Sequence, residues 1–248
     1  MKHLPAITSL PAVLAAFALA AVALGPASAS AQNNSHRISR VERHQDRPGA
    51  TSSAQDRVND SVRIIDQMKR DPNLASLLER AHGVFIVPHY GKGGFIVGGQ
   101  GGGGVVLAHR HGTWSSPAFF SIAGGSIGAQ AGGEGGSIAM LLMTRKAVDK
   151  FENSKSAWSL NGNAGLTVVT WSPKAQAETG NGDVIVWANT SGLYGGLTAS
   201  VTDVTPDREM DHSYYGRNLD ARQILEGNVL SAHAEPLRNA LLTRVASK

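Results

Sequence analysis

Between Gly91 and Gly136 the chain carries 17 of its 29 glycines, all but Gly112 in the runs GKGGFIVGGQGGGGVVLAHR and WSSPAFFSIAGGSIGAQAGGEGG. Interleaved with them are Phe95, Ile96, Val97, Val105, Val106, Leu107, Phe119, Phe120, Ile122 and Ile127, residue types that favour a pleated, half-buried surface. A flexible glycine linker lacks such residues. Glycine inside strand-like runs marks a bulge, a tight bend, or the close approach of another backbone or a ligand. The stretch therefore predicts a strongly bent sheet, with function to be sought at its rim.

The flanking segments change period. From Ala54 to Arg70, Val58, Val62 and Ile65 recur at spacings of four and three, one apolar stripe of a helix. Arg57, Arg63, Lys69 and Arg70 lie off that stripe, and Asp71-Pro72 ends the helix. A second short helix is predicted over Asn73–Ala81. Apolar runs at Val84–Val87, Gly94–Val97, Val105–Ala108, Phe119–Ala123 and Ile138–Met143, separated by Gly, Pro or Ser, read as antiparallel strands. Thr144–Phe151 reads as a short helix capped by Thr144. Ala164–Trp171, Val184–Ala188 and Leu193–Val201 are further strands, and Asn218–Glu226 and Pro236–Val245 closing helices. The expected fold class is α+β: a glycine-bent antiparallel sheet or barrel-like core, with helices at the N- and C-terminal ends.

The first residues read as a secretory signal. Lys2 and His3 precede an apolar run from Ala12 to Leu24, followed by the small-residue stretch Ala27–Ala31, and the run is too short to span a bilayer. The expected organisation is a signal peptide over 1–31, a disordered basic linker over 32–54 and one domain over 55–248. Removing the signal leaves 22 bases against 19 acids. The excess is mild, but Arg37, Arg40, Arg43 and Arg47 concentrate it in the linker. With no cysteine, a disulfide framework, a thiolate metal site and an N-terminal lipid acceptor are all excluded.

Local motif matches carry little chemistry. Gly124-Gly125-Ser126-Ile127-Gly128 matches a nucleophile elbow, but the elbow needs a helix after the serine, and AQAGGEGGS is a poor one. Gly91-Lys92-Gly93-Gly94 lacks the strand, loop and helix of a phosphate-binding loop. It leaves a turn whose N–H groups and Lys92 face either an anion or plain solvent. The nine histidines show no metal-ligand spacing, and the four tryptophans are too dispersed for a nucleic-acid stacking platform. The sequence thus predicts no enzyme, no cofactor, no metal and no nucleic-acid partner.

Arg80-Ala81-His82-Gly83-Val84-Phe85-Ile86-Val87-Pro88, KGGFIVGGQGGGGVVLAHR, WSSPAFFSIAGGSIGAQAGG, LLMTRKAVDKF, GLYGGL and YYG, in that order, resemble the SYLF domain, the lipid-binding family also called the Ysc84 actin-binding domain family. The resemblance covers about Asp56 to Asn228, and the signal segment suggests an exported bacterial member. It implies a non-enzymatic module that binds membranes, with phosphoinositides as ligands of eukaryotic relatives and an N-terminal amphipathic helix as the contacting element. That helix corresponds to Ala54–Arg70. Arg57, Arg63, Lys69, Arg70 and Lys92 become the headgroup candidates, and Val58, Val62 and Ile65 the apolar contact, unless these three pack on the sheet. The expected function is peripheral binding of anionic phospholipid in the cell envelope, periplasmic or secreted. The alternative is an envelope or host-facing protein-interaction module that uses the sheet as scaffold.

Overall fold

The capping and stripe signals at the start of the domain produce two helices. In the computed structural model, which describes residues 53–94, 97–127, 134–160, 165–171, 182–189 and 202–242, α1 spans Ala54–Met68. Ser53 caps it, accepting from the Asp56 N–H while the Asp56 carboxylate takes the Ser53 N–H. Helix α2, Pro72–Arg80, starts where α1 stops. Asp71 accepts from the Asn73 and Leu74 N–H groups, and Pro72 occupies the first turn, where no intrahelical donor is lost. All described residues fall in the unit Gly49–Lys248. The signal and most of the linker expected over 1–54 lie outside the described residues.

The sheet has nine strands: β1 Gly83–Gly94, β2 Val97–Arg110, β3 Thr113–Trp114, β4 Ala118–Ile127, β5 Glu134–Leu142, β6 Trp158–Ser159, β7 Val168–Thr170, β8 Val184–Ala188 and β9 Thr202–Pro206. Their order is β6-β9-β4-β2-β1-β5-β8-β7, with β3 paired to β2. All neighbours are antiparallel except β7 and β8, so the sheet is mixed rather than wholly antiparallel. The strand expected over Val84–Val87 extends as β1 through Pro88 to Gly94, and the one expected over Gly94–Val97 is divided between the end of β1 and the start of β2, with residues 95–96 outside the described residues. The register slips between Ile86 and Gly91 against β2 and between Val87 and Tyr90 against β5, and that bulge is what tolerates a proline in a central strand. The strand expected over Leu193–Val201 lies outside the described residues.

The glycines of β2 are explained by the curl. A Cβ at Gly101 would stand 2.5 Å from the Ile122 carbonyl oxygen, one at Gly102 2.3 Å from that of His89, and one at Gly104 2.3 Å from that of Ile86. Backbone approaches backbone so closely that only hydrogen fits.

Both faces of the sheet are covered. Phe85, Val106, Phe120 and Met140 point to one side, where α3 (Arg145–Glu152) and α5 (Ala221–Leu225) pack through Val148, Phe151, Ile224 and Leu225. Val84, Ile86, Val105, Phe119 and Leu141 point to the other, under α1, α2, α4 (Arg208–Tyr215) and α6 (Glu235–Leu242). Two-sided burial is why these strands read as unbroken apolar runs. Helices from the N- and C-terminal ends of the domain, with α3 between them, thus cover the two faces of the sheet. Helix α4 has no counterpart among the sequence expectations, although its boundaries are marked by Asp207 at the N-cap and by Gly216 in the left-handed conformation after Tyr215.

Candidate functional site

The α1 stripe is where contact with a membrane was expected. Val58 and Ile65 are fully buried in the cluster that holds Ile86, Val105 and Trp187, and Val62 packs against the same cluster. The predicted apolar contact set is therefore interior, the packed alternative. A helical stripe registers burial alike whether its partner is a sheet or a bilayer.

The α1 bases separate in the same way. Arg57 is buried, 3.2 Å from Asp207 Oδ2. Lys69 donates to the Ala240 carbonyl, and burial lowers its pKa against the opposing pull of Asp66 and Glu79. Arg63 is exposed but paired with Asp60, whose other oxygen is 2.6 Å from His89 Nε2. Arg70 is exposed. Lys92 stands in β1 opposite Gln100 and Glu134, and its side chain lies outside the description. With Asp56, Asp60 and Asp66 on the same helix, the surface of α1 carries no net excess of base.

The bases that sequence reasoning missed stand on α3. Its inward face is Ala147, Val148 and Phe151, each wholly buried. The 3.6-residue period sends Lys146 and Lys150, one turn apart, to the opposite side. Lys155, in the turn after the helix, joins them, and the three line a groove of about 490 Å³ with Asp149 and half-buried Trp158. Lys146 donates to the Gly165 carbonyl. Among the described residues none of the three lysines forms an ion pair. TRKAVDKF was legible as a helix, but which of its sides faces solvent was not.

Beyond Asn153 and Lys155 the charge is mixed, with Glu152 and Asp220 beside Arg208 and Arg222, and Arg222 3.7 Å from Glu226. Arg208 donates to the Lys155 carbonyl at 2.7 Å and Arg222 donates to Asn153 Oδ1, both beside a smaller groove that Asp211 also lines. Asp211 is only 2% exposed and accepts from the Phe119 N–H at 2.9 Å. Burial raises its carboxyl pKa to about 7; the Phe119 N–H opposes this and Asp207 adds to it.

The remaining motif matches acquire no site. Ser126 lies within β4, opposite Gly98, rather than on a strand-to-helix turn. His109 stacks on Trp114 with centroids 4.7 Å apart. Among the described residues no group of three His, Asp or Glu is placed to hold a metal, and no helix is long and apolar enough to cross a membrane.

Residues 123–244 match the family model described as Ysc84, Las17-binding protein actin regulator. That span runs from β4 to α6 and includes the α3 groove, while α1 precedes it. The chain is 30% identical over 175 residues to LAS seventeen-binding protein 3 of Saccharomyces cerevisiae, across 68% of this chain and 38% of that protein. It is 29% identical over 175 residues to Protein YSC84 of the same organism, covering 68% and 37%. It is 30% identical over 175 residues to SH3 domain-containing YSC84-like protein 1 of Bos taurus, covering 67% and 50%. The chain thus spans about two fifths to half the length of these curated relatives. No solved structure matches it.

Proposed function

Because this chain belongs to the Ysc84 (SYLF) family, we propose that it is a non-enzymatic binding module that docks on anionic phospholipid headgroups through the lysine groove of α3. One observation carries the reading: Lys146, Lys150 and Lys155 converge on one groove with no ion pair among the described residues, beside an aromatic wall. Each base near an anionic surface contributes about 1 kcal/mol, and an indole suits the interface between headgroup and water. Arg57 and Arg63 are each ion-paired, whereas the acid lining this groove is Asp149, with Asp183 attracting Lys146 from outside the lining. Residues 1–31 are read as an export signal and 32–54 as a linker, so the surface met is that of the cell envelope.

A second reading rests on the family description, Las17-binding protein actin regulator, and on the name of LAS seventeen-binding protein 3. In that reading the same groove takes an acidic segment of a protein partner in the envelope. Co-sedimentation of the full chain with neutral phosphatidylcholine vesicles and with vesicles containing phosphatidylglycerol separates the two. Pelleting with the anionic vesicles alone, abolished in Lys146→Glu/Lys150→Glu/Lys155→Glu and retained in Arg63→Glu/Arg70→Glu, is the expected result. Absence of charge-dependent pelleting removes the lipid reading and leaves the protein partner.

A further inference from the structure

The smaller groove, of about 310 Å³, lies where the end of α3, the end of β9 and the starts of α4 and α5 meet. Lys155, Arg208 and Arg222 line it together with Glu152, Asp211 and Asp220. Among the described residues these six form no ion pair with one another. Glu152 is held instead by Arg110, outside the lining, and Asp220 Oδ1 accepts from the Gln223 N–H as the cap of α5. Arg208 and Arg222 donate to neutral oxygens, the Lys155 carbonyl and Asn153 Oδ1, and each guanidinium has five donors to place. Arg222 also stands 3.7 Å from Glu226, where both side chains are exposed.

Asp211 is the acid of this lining that the protein leaves without a cation. Almost wholly buried, its side chain takes one hydrogen bond among the described residues, from the Phe119 N–H, although a carboxylate can accept about four. Arg208 stands one turn before it on α4 yet sends its donor to Lys155. Burial and the Asp207 carboxylate raise the Asp211 pKa to about 7, and what opposes them is the Phe119 N–H, not a base. Asparagine would accept from the same N–H with no charge to desolvate, so the fold by itself gives no reason for an acid here. A simple anion in this groove meets Asp211, and a simple cation meets three bases; a ligand that carries both charges satisfies each. We infer that the groove takes a phosphoethanolamine group, its ammonium donating to the Asp211 carboxylate and its phosphate accepting from Arg208 and Arg222. An ammonium is a compact charge with donors to spare, and phosphate oxygens suit the guanidinium fork. The inference does not rest on the α3 lysine groove: the two concavities share the Asn153–Lys155 turn, but Asp211, Arg208 and Arg222 belong to this one.

Calorimetric titration of the full chain with O-phosphoethanolamine tests it, beside phosphocholine, glycerophosphate and ethanolamine. Wild type binds O-phosphoethanolamine saturably and the other three about tenfold more weakly or worse, since they lack in turn the ammonium N–H, the cation and the phosphate. Asp211→Asn, which keeps an acceptor for the Phe119 N–H, weakens O-phosphoethanolamine about tenfold and leaves glycerophosphate unchanged. Arg208→Gln/Arg222→Gln, at the open side of the groove, weakens both phosphates. Pelleting with phosphatidylcholine vesicles that contain phosphatidylethanolamine, lost in Asp211→Asn, supports the inference with a lipid headgroup as the source. Binding of the soluble probe without such pelleting supports it with a free zwitterion as the source. No saturable binding by wild type overturns the inference, as does glycerophosphate binding as tightly as O-phosphoethanolamine. Affinity unchanged in folded Asp211→Asn, or lost only in Lys146→Glu/Lys150→Glu, places the ligand elsewhere and also overturns it.

Discussion

The Arg57 guanidinium lies over the bare α-carbon of Gly103: a Cβ built there would fall 2.4 Å from Arg57 Cζ and 2.6 Å from each terminal nitrogen. The missing side chain on β2 is the space in which α1 seats its buried cation, within reach of Asp207 on the far side of the chain. Gly103→Ala evicts the guanidinium and leaves Asp207 without it. Removing one partner of a buried pair costs roughly 3–5 kcal/mol, and Asp207, 24% exposed, places this pair at or below the lower end. Urea denaturation of Gly103→Ala and Arg57→Ala should show similar losses, with vesicle binding per folded molecule unchanged. Lost vesicle binding at unchanged stability would return Arg57 to the ligand surface.

Glycines of the sheet and glycines after the helices should fall into two classes. At Gly102 and Gly104 the obstacle is backbone oxygen at 2.3 Å, which no rotamer change relieves. Alanine at either should cost on the order of 3–5 kcal/mol, beyond an ordinary overpacking penalty, because a strand must move. At Gly216 and Gly227, where φ is 66° and 83° and a Cβ meets nothing, alanine costs only about 1 kcal/mol of backbone strain. Thermal midpoints of the four variants rank these directly.

Asp211 gives stability an uncommon pH dependence. Its folded pKa, about 7, is above the roughly 3.9 of an unfolded aspartate, so the folded state holds the proton more tightly. The contribution favours folding below about pH 4, declines as pH rises towards 7 and is flat above, at most on the order of 4 kcal/mol in all. Asp211→Asn retains an oxygen to accept from the Phe119 N–H and removes the titration. The difference in unfolding free energy between wild type and this variant should therefore change between pH 4 and 7 and be constant from 7.5 to 9.

Vesicle binding through the α3 groove should follow ionic strength. The lysines are solvated, so their attraction is screened over about 10 Å at 0.1 M salt. Reversing three charges removes at least about 3 kcal/mol, on the order of a hundredfold in affinity. Binding isotherms at low and physiological salt should show wild type weakening steeply and the triple glutamate variant hardly responding. A salt-insensitive wild type would mean that apolar burial carries the contact.

Much of the fold was legible because its signals are local. Thr144 before RKAVDKF, Asp71-Pro72 at the end of the first helix and the glycine-interrupted apolar runs each act within a few residues. Helix α4 was overlooked although Asp207 and Gly216 bracket it, because its eight residues include little apolar pattern: Met210 and Asp211 are the buried ones. The candidate site was less legible. Val58, Val62 and Ile65 were correctly joined into one stripe, but the stripe could not say what it faced.

The sequence by itself determined that the glycine-rich stretch is a bent sheet, since valine, isoleucine and phenylalanine between glycines cannot be a solvated linker. Tertiary structure alone decided what each glycine is for. Gly101 to Gly104 admit a neighbouring backbone or the Arg57 guanidinium, whereas among the described residues a Cβ at Gly91 would meet nothing within 4 Å. It also decided that Arg57 and Arg63 are paired with the protein's own carboxylates. The reason is range. Propensity and capping operate over one turn or one pleat, whereas steric clearance and ion pairing depend on residues 150 positions apart, as between Arg57 and Asp207.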